Sequence, residues 1–81
     1  MLYTAIYKDE NKILHSMIQS DYSNKRDFEK DLRRNGYVPI IVLTERQIKL
    51  IKENEDSYFD ELAKQKGRIA LTIYDFVREC I

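Results

Sequence analysis

Eighty-one residues make one domain at most, and so short a chain buries only part of its surface unless disulfides, a metal or a partner helps. The single cysteine, Cys80, excludes an internal disulfide, and the single histidine, His15, has no second histidine or cysteine nearby in sequence, which argues against a metal site or other cofactor. Lysine and arginine number 14 and so do aspartate and glutamate, without the basic excess of a dedicated nucleic-acid binder.

Halving the chain reveals no hidden asymmetry. Residues 1–44 carry seven basic and six acidic side chains, and residues 45–81 carry seven and eight. No apolar run approaches the ~20 residues of a membrane helix. Asp9 and Glu10 interrupt the N-terminal apolar stretch too early for a signal peptide. These features predict a small, soluble α+β protein of the cytoplasm, and a lone thiol suits that reducing compartment.

Leu2–Tyr7 and Ile13–Ile18 are rich in β-branched and aromatic residues and flank the polar Lys8–Lys12, which predicts a β-hairpin. Leu2 and Ile6 fall on one face of the first strand, and Tyr3 and Tyr7 on the other. Asp21–Asn24 reads as a turn, with Asn24 capping a helix over 25–35 and Asp27 near its positive end. Phe28 and Leu32 form its apolar stripe. Arg33 and Arg34 suit its last turn, and Asn35-Gly36 supplies a left-handed stop.

Tyr37–Leu43 is almost wholly apolar and reads as a strand buried on both faces, with Pro39 near its start or on an edge. A right-handed crossover from the second strand to the third, through the helix, sets the strand order 2-1-3. The N-terminal part, 1–44, is therefore a β-β-α-β three-stranded sheet. Because that sheet is apolar on both sides, it needs a second cover, from the C-terminal helices or from a partner.

Thr44-Glu45-Arg46-Gln47 fits a capping box, and the helical part runs from 45 to 81. Ile48 and Ile51 mark the inner face of the next helix. Asn54–Ser57 is a break, after which Ser57–Asp60 can cap a helix carrying Tyr58, Phe59, Leu62 and Ala63. Gly67 ends or interrupts that helix. From Ile69 a stripe of Ile69, Ile73, Phe76 and Cys80, widened by Ala70 and Val77, predicts a final helix. One unbroken helix over 45–80 would span roughly 54 Å, too long for so small a domain, so two or three helices are expected.

Leu43–Ile48, Glu61-Leu62-Ala63 with Gly67 four residues on, and Thr72-Ile73-Tyr74 together resemble the helix-turn-helix of bacterial transcription regulators, over residues 43–80. The resemblance implies close helix contact at Ala63 and a turn at Gly67. It further implies base contact by Arg68, Leu71, Thr72 and Arg78, and phosphate contact by Lys64 and Lys66. Lys66 and Arg68 stand where that motif usually carries apolar residues. Ile69, Ala70 and Leu71 are a poor set for reading base edges.

No nucleophile stands beside a base at recognisable spacing, and two isolated glycines make no phosphate loop, so no enzyme and no small-molecule substrate is expected. His15 reads as an ordinary sheet residue and Cys80 as an inert thiol. The paired Lys25-Arg26 and Arg33-Arg34 read as solvent-facing charge. Six tyrosines, some at the core edge and some in a contact surface, favour protein recognition. The leading expectation is a non-catalytic regulatory or accessory protein that forms a homodimer through Leu71, Ile73, Tyr74, Phe76, Val77 and Ile81. DNA binding through Lys64, Lys66, Arg68, Thr72 and Arg78 is the alternative. The lysine-, isoleucine- and tyrosine-heavy composition is also that of phage or mobile-element proteins from AT-rich bacteria.

Overall fold

The computed structural model describes residues 1–53 and 55–80, and the side chains of all of these except 17–19 and 80. The architecture is α+β. Three strands, β1 (Leu2–Lys8), β2 (Leu14–Asp21) and β3 (Val38–Thr44), alternate with and precede four helices, α1 (Lys25–Arg34), α2 (Glu45–Lys52), α3 (Asp56–Lys66) and α4 (Ile69–Cys80). The chain divides into two compact units, Met1–Glu45 and Arg46–Ile81. That division falls one residue beyond the end of the expected sheet part.

In the first unit the strand order is β2-β1-β3, as the apolar patterns predict. Both pairings are antiparallel, so β2 and β3 run parallel with β1 between them, joined through α1. The hairpin turn is built by Asp9. Its carbonyl accepts from the Lys12 N–H at 3.0 Å, and its own N–H donates to Ile13 at 3.1 Å. Lys12 takes up the left-handed conformation, φ 64°. β2 starts one residue later than expected and extends through Asp21, because pairing with β1 continues to Leu2.

Helix α1 begins as its sequence dictates. The Asn24 side chain accepts from the Asp27 N–H at 2.9 Å, and Arg33 and Arg34 close the last turn. Gly36 carries the stop at φ 85°. Phe28 and Leu32 are buried against Tyr3 and Ala5 of β1 and Val42 of β3, with Tyr7, Tyr22 and Tyr37 around the edge of this cluster. Two residues thus suffice as the apolar stripe of a ten-residue helix, because one of them is a phenylalanine stacked on Tyr22 at 4.5 Å between ring centroids. The alternate residues of β1, Thr4 and Ile6, are buried too. Pro39 is the second residue of β3, an edge strand, where a missing ladder donor is tolerated.

In the second unit α2 ends at Lys52 and α3 begins at Asp56, so of the break expected at 54–57 residues 56 and 57 are helical, and residue 54 lies outside the described residues. The recapping at Ser57 is not realised: α3 already begins at Asp56, with Glu55 as N-cap, and Ser57 lies inside its first turn. The Glu55 carbonyl is a junction. It accepts from the Phe59 N–H at 3.0 Å and from the Tyr74 O–H at 3.2 Å, tying the start of α3 to α4. Phe59 meets Tyr74 edge to face at 4.9 Å. Gly67 ends α3 at φ 67°, ψ −139°, a conformation open to glycine and strained for other residues. Leu62 of α3 and Ala70, Ile73, Tyr74 and Val77 of α4 are buried.

Candidate functional site

One concavity lies wholly in the first unit, at the hairpin end of the sheet. It is a cleft of about 410 Å³ lined by Tyr7, Asp9, Glu10, Asn11, His15, Asn35, Gly36 and Tyr37. Three segments converge there: the β1–β2 turn with its flanking strand ends, the C-terminus of α1, and the residue entering β3.

The strand pairing sets Tyr7 directly opposite His15. Their rings stack with centroids 5.6 Å apart and planes 24° apart, and Tyr7 meets Tyr37 on its other side at 4.9 Å and 38°. The result is a shelf of three aromatic rings.

Asp9 anchors the rim. Its Oδ1 accepts from the backbone N–H groups of Asn11 at 2.8 Å and Ile13 at 3.0 Å, while its Oδ2 lies 2.7 Å from His15 Nε2. The hydrogen bond with His15 first, and the one from Ile13 next, hold the Asp9 carboxyl below the ordinary carboxylate range. Glu10 and Asn11 complete the exposed side of the turn. Asn35 donates from Nδ2 to the Asp31 carbonyl at 2.8 Å, which leaves its Oδ1 as an acceptor at the cleft wall.

The lining therefore offers two carboxylates, an imidazole, two amides and two phenols, without an aliphatic hydroxyl, a thiol or an amine. An aspartate that orients a histidine is half of a general-base arrangement, but no nucleophile faces it in this lining. Among the described residues no three His, Cys, Asp or Glu side chains gather as a metal site.

The residues expected to form a dimer surface on α4 are divided by the structure. Ile73, Tyr74 and Val77 are buried in the chain itself, because α4 spends that face on intramolecular packing, and they are removed from any accessible contact surface. Phe76 is half-buried, Leu71 is 58% exposed, and Ile81 lies outside the described residues. Burial is the first cause of the upward shift of the Tyr58 and Tyr74 phenols, followed by Glu61 at Tyr58 and by the Tyr58 phenol and then the carboxylates of Asp56, Glu55 and Asp60 at Tyr74.

The residues of the helix-turn-helix alternative are all exposed: Lys64 and Lys66 on α3, Arg68 in the turn, and Thr72 and Arg78 on α4. Gly67-Arg68 alone joins the two helices. The exposed face of α4 also carries Asp75 and Glu79.

Sequence reasoning missed the aromatic cleft. Its signal was the placement of Tyr7 and His15 on either side of the hairpin turn, which becomes informative only once the register is known. Comparison with protein-family models, curated proteins and solved structures finds no match. Among the described residues no helix is long and apolar enough to cross a membrane.

Proposed function

We propose that this chain is a non-catalytic binding protein, a small regulatory or accessory factor of the cytoplasm, that works through protein–protein contacts and takes a second copy of itself as first partner. The observation that supports this most directly is the state of β3. It is an edge strand whose sequence, Val38–Thr44, contains no charged residue. Val38 is 58% exposed, and Ile40 and Ile41 are partly exposed.

Natural edge strands are commonly guarded by charge, bulges or proline, because their unpaired N–H and C=O groups template pairing with another chain. Here Pro39 and one register shift opposite Ile6–Tyr7 are the guards. The other edge, β2, carries His15 and Asp21 and is better protected. An uncharged strand can pair antiparallel with its own copy about a two-fold axis without like charges meeting. The contact surface thus shifts from the α4 stripe to the β3 edge, with Leu71 as a separate exposed point on α4.

Sedimentation velocity in the tens-of-micromolar range tests this. A dimer that dissociates on Ile40→Lys, in a variant whose circular dichroism is unchanged, supports the reading. A monomer throughout that range refutes it.

The exposure of Lys64, Lys66, Arg68, Thr72 and Arg78 favours a second reading, DNA binding along α3 and α4. It requires salt-dependent duplex binding that is lost in Lys66→Ala with Arg68→Ala. Absence of duplex binding at low salt ends it.

A further inference from the structure

We propose that the cleft formed by Tyr7, His15, Tyr37, Glu10 and Asn35 is a recognition site for an organic cation, with a guanidinium group as its preferred occupant. This inference is independent of self-association through β3.

Three observations carry it. The first is the ring shelf. Tyr7 lies between His15 and Tyr37 with centroid spacings of 5.6 and 4.9 Å, and the outward faces of such an aromatic cluster attract cations. A guanidinium is planar, delocalised and weakly hydrated, so it stacks on an outward aromatic face of this cluster better than a compact, strongly hydrated ammonium does.

The second is charge. Two carboxylates line the cleft, and no lysine or arginine does, in a chain that holds 14 of them. The His15 imidazole pairs with Asp9 at 2.7 Å, so Glu10 is the carboxylate left open to a ligand, and the nearest lysines and arginines are accounted for. Lys8 alternates with Tyr7 along β1 and sits opposite Leu14 and Val38, on the other face of the sheet. Arg33 lies 3.7 Å from Glu29, and Arg34 lies 3.7 Å from Asp31. Lys12 is on the exposed turn and does not line the cleft. A phosphate or nucleotide entering here would face Asp9 and Glu10, whereas a cation would be drawn in.

The third is hydrogen bonding. Asp9 holds the turn and His15 with three bonds, so the rim is built before any ligand arrives. The Glu10 carboxylate and Asn35 Oδ1 remain as acceptors for a fork of N–H donors. The cleft volume falls at the small end of the range for ligand sites, on the order of 300–1,000 Å³, which suits one side chain or one small molecule.

The test is a nuclear magnetic resonance titration of the whole chain. The single histidine makes the imidazole signals of His15 an unambiguous reporter. The probes are N-acetyl-arginine amide, the lysine counterpart, a short arginine-containing peptide and adenosine monophosphate. Arginine amide is expected to give saturable shifts at His15, Tyr7 and Tyr37, to bind more tightly than lysine amide, and to weaken with salt. Tyr37→Ala should weaken binding about threefold to about thirtyfold, the range of one cation–π contact. Because that variant also touches the core edge, the exposed Glu10→Gln serves as the second. It should keep the amide spectrum outside the turn and lose affinity. Tighter binding of the peptide than of the amide assigns the cation to a partner protein, and equal binding assigns it to a small molecule. The inference is overturned if arginine amide leaves His15 unmoved, if the nucleotide moves the same signals instead, or if Glu10→Gln binds arginine amide as the parent does.

Discussion

Phe28 is the residue on which the first unit should depend most. Its side chain is completely buried among Tyr3, Ala5, Leu32 and Val42, and it stacks on Tyr22. Phe28→Ala removes the ring and leaves a cavity that a strand-backed site can only partly close. Losses for such changes run to about 3–5 kcal/mol. A chain of 81 residues at about 0.05–0.15 kcal/mol per residue has about 4–12 kcal/mol of stability in total. The substitution should therefore remove between a quarter and all of it. With an m value of about 1 kcal/mol/M, the urea midpoint should fall by roughly 3 M or more. Amide exchange of β1 and β3 reads the same loss within Met1–Glu45 alone. Phe28→Leu, which keeps most of the apolar volume, should cost distinctly less. A midpoint change under about 1 M for Phe28→Ala, with unaltered exchange in β1, would refute the assignment of α1 as the helix that closes this core.

Asn24→Ala removes the cap acceptor for the Asp27 N–H and should cost about 1 kcal/mol, while Asn24→Ser should restore most of it, as thermal unfolding will show. Lys12→Gly should raise stability by roughly 0.5–1 kcal/mol in the same assay, because the left-handed φ of 64° strains a residue with a Cβ and suits glycine. Tyr22 donates to Asp31 Oδ2 at 2.8 Å, and that bond first, then burial, lifts its ionisation above the ordinary 10.0. Its contribution is accordingly intact below pH 10.0 and is lost as pH rises through the raised folded value. Tyr22→Phe should flatten the alkaline decline of stability, measured by urea midpoints across that range.

Much of the fold was legible because local rules and pattern agree. Asn24, Arg33, Arg34 and Gly36 each do in α1 what their chemistry predicts, and the uninterrupted apolar run of β3 marked a strand with adjacent Val42 and Leu43 both buried. The start of α3 was misread at Ser57 because a good capping residue is no guarantee of a cap. The helix begins two residues earlier, with Glu55 as N-cap, and the Glu55 carbonyl accepts from the Tyr74 O–H, a contact 19 positions away that no local pattern encodes. The α4 stripe was read correctly as apolar, but periodicity states that a face is buried and not by which molecule, so Ile73, Tyr74 and Val77 looked available for a dimer when the chain itself covers them.

The cleft shows the same limit from the other side. Alternation along a strand fixes which face a residue occupies but not its cross-strand neighbour. A turn confined to Lys8–Lys12 would set Ile13 opposite Tyr7, leaving an apolar pair of no chemical interest. The Asp9 side chain instead captures the N–H groups of Asn11 and Ile13, Lys12 flips to positive φ, and the turn lengthens so that His15 arrives opposite Tyr7. One carboxylate thus sets the register, places the imidazole beside a phenol, and contributes the negative charge that would draw in a cation. A residue that reads as loop polarity in the sequence is, in the folded chain, what assembles the site. Exchanging it for asparagine separates these duties: the side-chain acceptor for the Asn11 and Ile13 N–H groups is kept, while the cleft loses one of its two carboxylates.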